Sequence, residues 1–109
     1  MTEKDIEKYL VRKMKELGSV AYKFASPGHD GVPDRLVCLP GGRVLFVELK
    51  APGRKPRPLQ EMEIRRLRDL GFRVYVIDCI EGVDALASRI QDWEPLPHSC
   101  DSEGKNNDI

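Results

Sequence analysis

The sequence predicts one α/β domain, a mixed sheet of about four strands flanked by helices, with the elements in the order αβββαβα. Three observations predict it. Apolar residues recur at helical spacing in three separated stretches, short β-rich runs lie between them, and Pro40-Gly41-Gly42 breaks the chain where two runs must double back. The last strand follows a helix, so it reaches the sheet through a crossover and lies parallel to its predecessor.

Length and composition agree. The 109 residues are 40% hydrophobic and 33% charged, which suits one globular domain with one modest core. Lys+Arg and Asp+Glu are each 18, so net charge signals no polyanionic partner and any basic surface must be local. No stretch approaches the roughly 20 apolar residues of a membrane span, and the charged amino terminus is unlike a signal peptide. The expectation is a cytoplasmic protein with no membrane partner. Cys38, Cys79 and Cys100 are odd in number without a close-spaced pair, so neither a disulfide framework nor a zinc site is indicated. Cys38 and Cys79 lie in apolar runs and read as small core residues.

The first helix spans about Thr2 to Leu17. Thr2 and Asp5 can form a capping box, Ile6, Leu10, Met14 and Leu17 make the apolar stripe, and Gly18 stops it. Glu7 is anomalous because it lies within about 60° of Leu10, Val11 and Met14 on the helical wheel. An acid in the first two turns can simply complement the helix dipole, and Glu7 gains a further meaning only where other acids converge on it. A short strand follows at Val20 to Phe24, with Val20, Tyr22 and Phe24 on one face. Residues 26–33 are almost all turn-formers, so His29 and Asp30 read as solvated loop residues. Pro33 then delivers the chain stiffly to Asp34, which opens the strand Asp34 to Leu39.

Val44 to Lys50 is the third strand and the most informative stretch. Alternation places Glu48 and Lys50 on the same face as Val44 and Phe46. Either this is a charged strand end running into solvent, or a carboxylate and an ammonium are held there for chemistry, since burying charges is costly unless they are paired or bind a metal. Register links them to Asp34. A three-residue loop Pro40-Gly41-Gly42 pairs Leu39 with Arg43, Cys38 with Val44, Leu36 with Phe46 and Asp34 with Glu48, bringing the two acids to β-carbon separations of roughly 4.5 to 5.5 Å. A two-residue Gly41-Gly42 loop would put them on opposite faces. Two carboxylates that close repel unless a cation lies between them. Hard ions such as Mg²⁺ or Mn²⁺ suit two acids plus a backbone carbonyl, that of Leu49 being the nearest in sequence. Lys50 on the same face can orient a water or neutralise charge growing on a phosphate. Together these groups describe phosphodiester hydrolysis.

Pro33-Asp34 followed by Glu48-Leu49-Lys50 matches the signature of the PD-(D/E)xK nucleases. Gly31-Val32-Pro33-Asp34-Arg35 with Val47-Glu48-Leu49-Lys50 resembles the VRR-NUC family within that superfamily, of a standalone phage or bacterial type. The likeness covers about residues 1–92. It implies a restriction-endonuclease-like fold and a metal-dependent deoxyribonuclease. It also gives Glu7 a role, because such nucleases place an acid of the first helix against the metal site. Glu7-Lys8-Tyr9-Leu10-Val11-Arg12 is similar to the start of archaeal Holliday-junction resolvases. Standalone members look like junction-cleaving dimers, which implies branched DNA such as Holliday junctions as substrate and a homodimer as the working form. The alternatives are a flap or single-strand nuclease subunit of a larger assembly, and a non-catalytic DNA-binding or assembly module.

Residues 51–58 contain three prolines and three cations, Arg54, Lys55 and Arg57, in a loop beside the proposed site. They serve either as phosphate contacts or as a solvated turn. The second helix spans Leu59 to about Leu70, with Gln60 on the face of Ile64 and Leu67. A glutamine at this place also matches the VRR-NUC pattern, and Gln60 is expected to hydrogen-bond Lys50 or the phosphate. Glu61, Glu63, Arg65, Arg66, Arg68 and Asp69 read as a charged outer face. Phe72 to Asp78 is a strongly apolar run read as an internal parallel strand. Val83 to Trp93 closes the domain as a helix with Leu86, Ala87 and Ile90 inward. Residues 1–93 are thus the nuclease-like domain, and 94–109, low in apolar content, read as a disordered tail in which His98 has no catalytic role. The expected site is Asp34 and Glu48 with the Leu49 carbonyl on the metal, Glu7 completing it, Lys50 handling the water and Gln60 in support.

Overall fold

The computed structural model describes residues 1–93, so the tail reading, with His98 and Cys100, lies outside the described residues. The elements are α1 (Glu3–Glu16), β1 (Val20–Lys23), β2 (Arg35–Leu39), β3 (Arg43–Leu49), α2 (Pro58–Asp69), β4 (Arg73–Ile77) and α3 (Ile80–Asp92). The sheet order is β1-β2-β3-β4. The first three strands are antiparallel neighbours, and β4 runs parallel to β3 after the α2 crossover.

Local chemistry sets the boundaries. Thr2 caps α1 reciprocally: its Oγ1 accepts from the Asp5 N–H at 3.2 Å, and the Asp5 carboxylate accepts from the Thr2 N–H at 2.9 Å. Pro58 stands in the first turn of α2, where its missing N–H costs nothing. The hairpin joins Leu39 to Arg43 through Pro40-Gly41-Gly42, with Gly41 and Gly42 at φ 84° and 76°. That loop length fixes the ladder: Cys38 opposes Val44, Leu36 opposes Phe46 and Arg35 opposes Val47. The next pair along the same register is Asp34 with Glu48.

The sheet has apolar material on both faces. On one side Ile6, Leu10 and Met14 of α1 and Val83, Leu86 and Ile90 of α3 pack on Val37, Leu45, Val47, Leu49 and Ile77. On the other, Ile64 of α2 packs on Phe46 and Val74, with Phe24, Leu36, Val44 and Leu67 around them. Alternation in β3 therefore sends Leu45, Val47 and Leu49 toward α1 and α3, and Phe46, Glu48 and Lys50 toward α2. The site lies where β3 leaves the sheet beside the start of α2.

Five expectations are corrected. β4 is an edge strand, not an internal one. Its run reads as internal because both faces are covered, Val74 by the α2 cluster and Ile77 by the α1–α3 cluster, while only β3 pairs with it. α3 begins at Ile80 rather than Val83, with Cys79 as its N-cap. Gly82 falls inside it, at a place where a β-carbon would approach Ile77 Cγ2 to 3.1 Å. Cys38 and Cys79 are half-buried, not core. Glu63 is buried, not on an outer face, because it shares the inward stripe with Gln60 and Ile64; Arg66 Nη1 reaches its carboxylate at 3.6 Å. Val11, placed beside Glu7 on the apolar stripe of α1, is exposed.

Candidate active site

Glu48 is the centre of the site. Its strand has neighbours on both sides, so the side chain is only 1% exposed. Gln60 Nε2 donates to its Oε2 at 2.7 Å, and Lys50 Nζ lies 3.3 Å from the same oxygen. Oε1 is buried without a partner among the described residues. Burial first, and the Asp34 charge second, push the Glu48 carboxyl up to about 7, against the attraction of Lys50.

Asp34 stands just before β2 and accepts the Leu49 N–H on Oδ2 at 2.8 Å. The carboxylate thus extends the β2–β3 ladder by one bond past the last paired residues. Pro33 is buried and precedes it directly, and the Phe24 N–H donates to the Asp34 carbonyl at 2.9 Å, so the backbone at Asp34 is held from both sides. Behind this approach, Gly31 adopts φ 96° against the start of α2, where a β-carbon would come within 2.9 Å of the Leu59 carbonyl oxygen.

Gln60 has one possible orientation. Its Oε1 accepts the Arg57 N–H at 2.8 Å, which satisfies a free donor at the start of α2, so the amide nitrogen is left for Glu48. The bond expected to Lys50 goes instead to Glu48, because Gln60 reaches the carboxylate that Lys50 also contacts. Lys50 extends β3 by one residue, and its own N–H donates to the Ile77 carbonyl at 3.0 Å.

Two hollows flank this group. One is lined by Glu3, Glu7, Lys23, Phe24, Ala25, Asp34 and Leu49. The other is lined by Glu3, Lys50, Ala51, Arg54, Lys55 and Arg57. The three loop cations are exposed and share their hollow with Lys50. The Gly53 N–H donates to Asp78 Oδ2 at 3.2 Å, anchoring that loop to the end of β4. His29 and Asp30 are exposed.

Glu7 shares a hollow with Asp34 and Leu49, and one of its carboxylate oxygens has a partner on β2. Arg35 Nη2 donates to Glu7 Oε2 at 2.7 Å. Among the described residues no three His, Cys, Asp or Glu side chains are grouped closely enough to hold a metal. What exists is a two-carboxylate arrangement with a buried, unpartnered oxygen on Glu48. Such an oxygen close to a second carboxylate fits a hard cation, which accepts donation from both and removes their repulsion.

Two residues escaped the sequence reading. Arg35 was legible in principle: it shares its strand face with Val37 and Leu39, so a cation on an apolar face matches the acid on the apolar stripe of α1. Glu3, which lines both hollows, lies one turn before Glu7 on the same helix face.

No family model matches the chain. It is 57% identical over 76 residues to "Putative nuclease p44" of Acyrthosiphon pisum secondary endosymbiont phage 1, covering 70% of this chain and 82% of that protein. A solved structure described as "VRR_NUC domain" superposes with a TM-score of 0.75 at 34% identity, covering 86% of this chain and 100% of the other. Together with a mixed four-stranded sheet in the order αβββαβα, these likenesses give a restriction-endonuclease-like fold, and the chain belongs to the VRR-NUC family of nucleases.

Proposed function

We propose that the protein is a Mg²⁺- or Mn²⁺-dependent DNA endonuclease that hydrolyses phosphodiester bonds and selects branched DNA such as Holliday junctions. The observation that carries this is Glu48: a buried carboxylate with one oxygen unpartnered, beside Asp34 and an ammonium. Asp34, Glu48 and the Leu49 carbonyl hold the cation. Bound there, it supplies Lewis acidity to the phosphodiester and makes water a better nucleophile. Lys50 offsets negative charge on the phosphate and orients the attacking water. Gln60 is a positioning residue that holds Glu48 Oε2 and so aims Oε1. Glu7 stands at the rim of the same hollow as Asp34.

Arg54, Lys55 and Arg57 contact phosphates on either side of the cut. They are a local basic patch on a chain of zero formal net charge, which favours backbone and shape recognition over base reading. The working form is a homodimer, so that two sites act on two strands. A surface suited to it lies on the α2 side of the sheet, beyond the reach of α2. There Val20 and Tyr22 are 48% and 54% exposed, beside half-buried Leu36, Cys38 and Val44. No helix of the described residues is long and apolar enough to cross a membrane.

The test is a cleavage panel of four-way junction, flap, single-stranded and linear DNA with Mg²⁺ or Mn²⁺, using wild type, Asp34→Ala and Lys50→Ala. Cleavage of junctions before linear duplex, lost in both variants while DNA binding persists, is the expected result. Activity retained in either purified variant overturns the catalytic assignment. Preference for flaps or single strands overturns the substrate assignment alone.

A further inference from the structure

A second set of cations lies beyond the carboxylate site. Arg54 and Lys55 line the hollow of Lys50 and also a larger groove between α2 and the end of β4, which continues to Arg65 and Arg68. Arg68 in turn lines a further hollow with Phe72, Arg73, Val74, Tyr75 and Arg89, at the start of β4. Shared residues thus join these hollows into one track. Glu61, Asp69 and Asp78 stand along the middle groove, with Asp78 engaged by the Gly53 N–H, but no acid lines the far hollow.

The arginines of that far hollow are exposed, and none has a carboxylate within salt-bridge distance among the described residues. Neutral partners fix Arg68 and Arg73 instead. Arg68 donates to the Val74 carbonyl from Nε at 3.2 Å and from Nη2 at 2.6 Å, and Arg73 lies 3.8 Å from the centre of the Trp93 ring. Their charges are therefore held in place without being cancelled. Like charges lining one hollow repel one another until an anion enters. A strand of another protein is a poorer occupant of this edge. Ile77 turns its carbonyl to the Lys50 N–H, so by alternation Val74 and Val76 turn theirs outward, and Arg68 already fills that of Val74.

We propose that this hollow holds a phosphate of the DNA arm whose scissile phosphate sits at Glu48, with Arg68, Arg73 and Arg89 as its contacts. Arg73 pairs with Leu45, and Lys50 lies further along β3, so the two places are about 16 Å apart at about 3.3 Å per strand residue. At roughly 3.4 Å of helix axis per base pair, that is about five base pairs. The cut thus falls at a fixed distance from a second hold on the backbone, which sets its position without reading bases. This rests on the nuclease reading of the Glu48 site.

The test uses the full chain and a fluorescein-labelled four-way DNA junction in EDTA, which allows binding without metal-dependent cleavage. In fluorescence anisotropy, Arg73→Gln with Arg89→Gln should lower the slope of log affinity against log salt by about 2. Arg89→Gln alone, on the exposed face of α3 where folding is not at stake, should lower it by about 1, and Arg89→Lys should restore it. Arg12→Gln, which removes a cation beside Glu16, should leave the slope where it is. Ethylation interference should mark a phosphate about five base pairs from the position cut when Mn²⁺ is supplied, and the mark should vanish in the double variant. An unchanged slope assigns the hollow to another partner, such as an acidic protein surface, and overturns the proposal. An equal fall in Arg12→Gln, or interference confined to phosphates next to the cut, overturns it too. A fall in slope without any cleavage by wild type in Mg²⁺ or Mn²⁺ overturns the nuclease reading and leaves the phosphate contact standing. Absence of junction binding by wild type overturns both.

Discussion

Replacing Glu48 by glutamine should make the metal-free protein more stable at alkaline pH while removing its cleavage activity. The Glu48 carboxyl is pushed from 4.5 up to about 7, by burial first and by Asp34 second, after the attraction of Lys50 is included. At about 1.4 kcal/mol per pKa unit, holding the ionised form in the fold costs about 3 kcal/mol. The sign follows from proton counting. Between about pH 4.5 and 7 the folded state binds more protons at Glu48 than the unfolded state, so stability falls as pH rises through that window and is level above it. Glutamine keeps the volume and an acceptor for Gln60 Nε2 but carries no charge. The variant should therefore exceed wild type by about 3 kcal/mol at pH 8 and by under about 1 kcal/mol at pH 5. Urea denaturation in EDTA, across pH 5 to 8.5, measures the gap between the two proteins, in which the contributions of groups that do not interact with Glu48 cancel. A gap that stays constant with pH refutes the strain at Glu48. Adding Mn²⁺ at pH 8 should stabilise wild type, by about 2.7 kcal/mol at 100 times the dissociation constant, and leave the variant nearly unmoved.

Other perturbations separate the supports of the site from the site itself. Changing Arg54, Lys55 and Arg57 together to Gln should reduce the slope of log DNA affinity against log salt by about 2 to 3, measured by fluorescence anisotropy, with stability within about 0.5 kcal/mol of wild type. Gly31→Ala combines a positive φ with a 2.9 Å approach to the Leu59 carbonyl oxygen. It should cost about 1 to 3 kcal/mol in denaturation and reduce cleavage, because the same loop sets Pro33 and Asp34. Leu10→Ala, at a fully buried position between α1 and the sheet, should cost about 2 to 5 kcal/mol yet leave the Mn²⁺ affinity of the folded protein unchanged by calorimetry.

The elements that read clearly in the sequence are those whose signals are local. Thr2, Asp5 and Gly18 bound α1 to within a residue of its observed limits because capping and termination act over one turn. The β2–β3 register follows from loop length alone, since two glycines at positive φ fit a three-residue turn and the pairing behind it has no freedom. The position of β4 was not legible for a different reason. An apolar run reports that both faces of a strand are covered, and helices do that here as well as sheets would. It does not report how many strands pair with it, which depends on the right-handed crossover through α2 and on what lies beyond. The face of β1 shows the same limit. Val20, Tyr22 and Phe24 share a face as alternation requires, but only Phe24 stacks on Phe46, because α2 does not extend over the rest.

The site shows how far a polar residue in an apolar setting can be read. Glu7, Glu48 and Gln60 each stood out because a charged or amide side chain occupied a face that should be apolar, and each turns out to have a specific partner. The anomaly marks a residue without naming its partner. Glu7 was expected to converge on Asp34; it lines one hollow with Asp34, and its Oε2 also accepts from Arg35 on the α1 face of β2. Opposite anomalies on facing elements should therefore be matched with each other before either is assigned to a ligand. Arg35 beside Val37 and Leu39 was the match for Glu7, and no such match was available for Glu48. Lys50 and Gln60 both bind its Oε2, leaving Oε1 alone in the interior. A fold selected for stability alone would supply that oxygen with a donor or replace the acid. Its retention is the observation on which the proposed metal site at Glu48 and Asp34 rests.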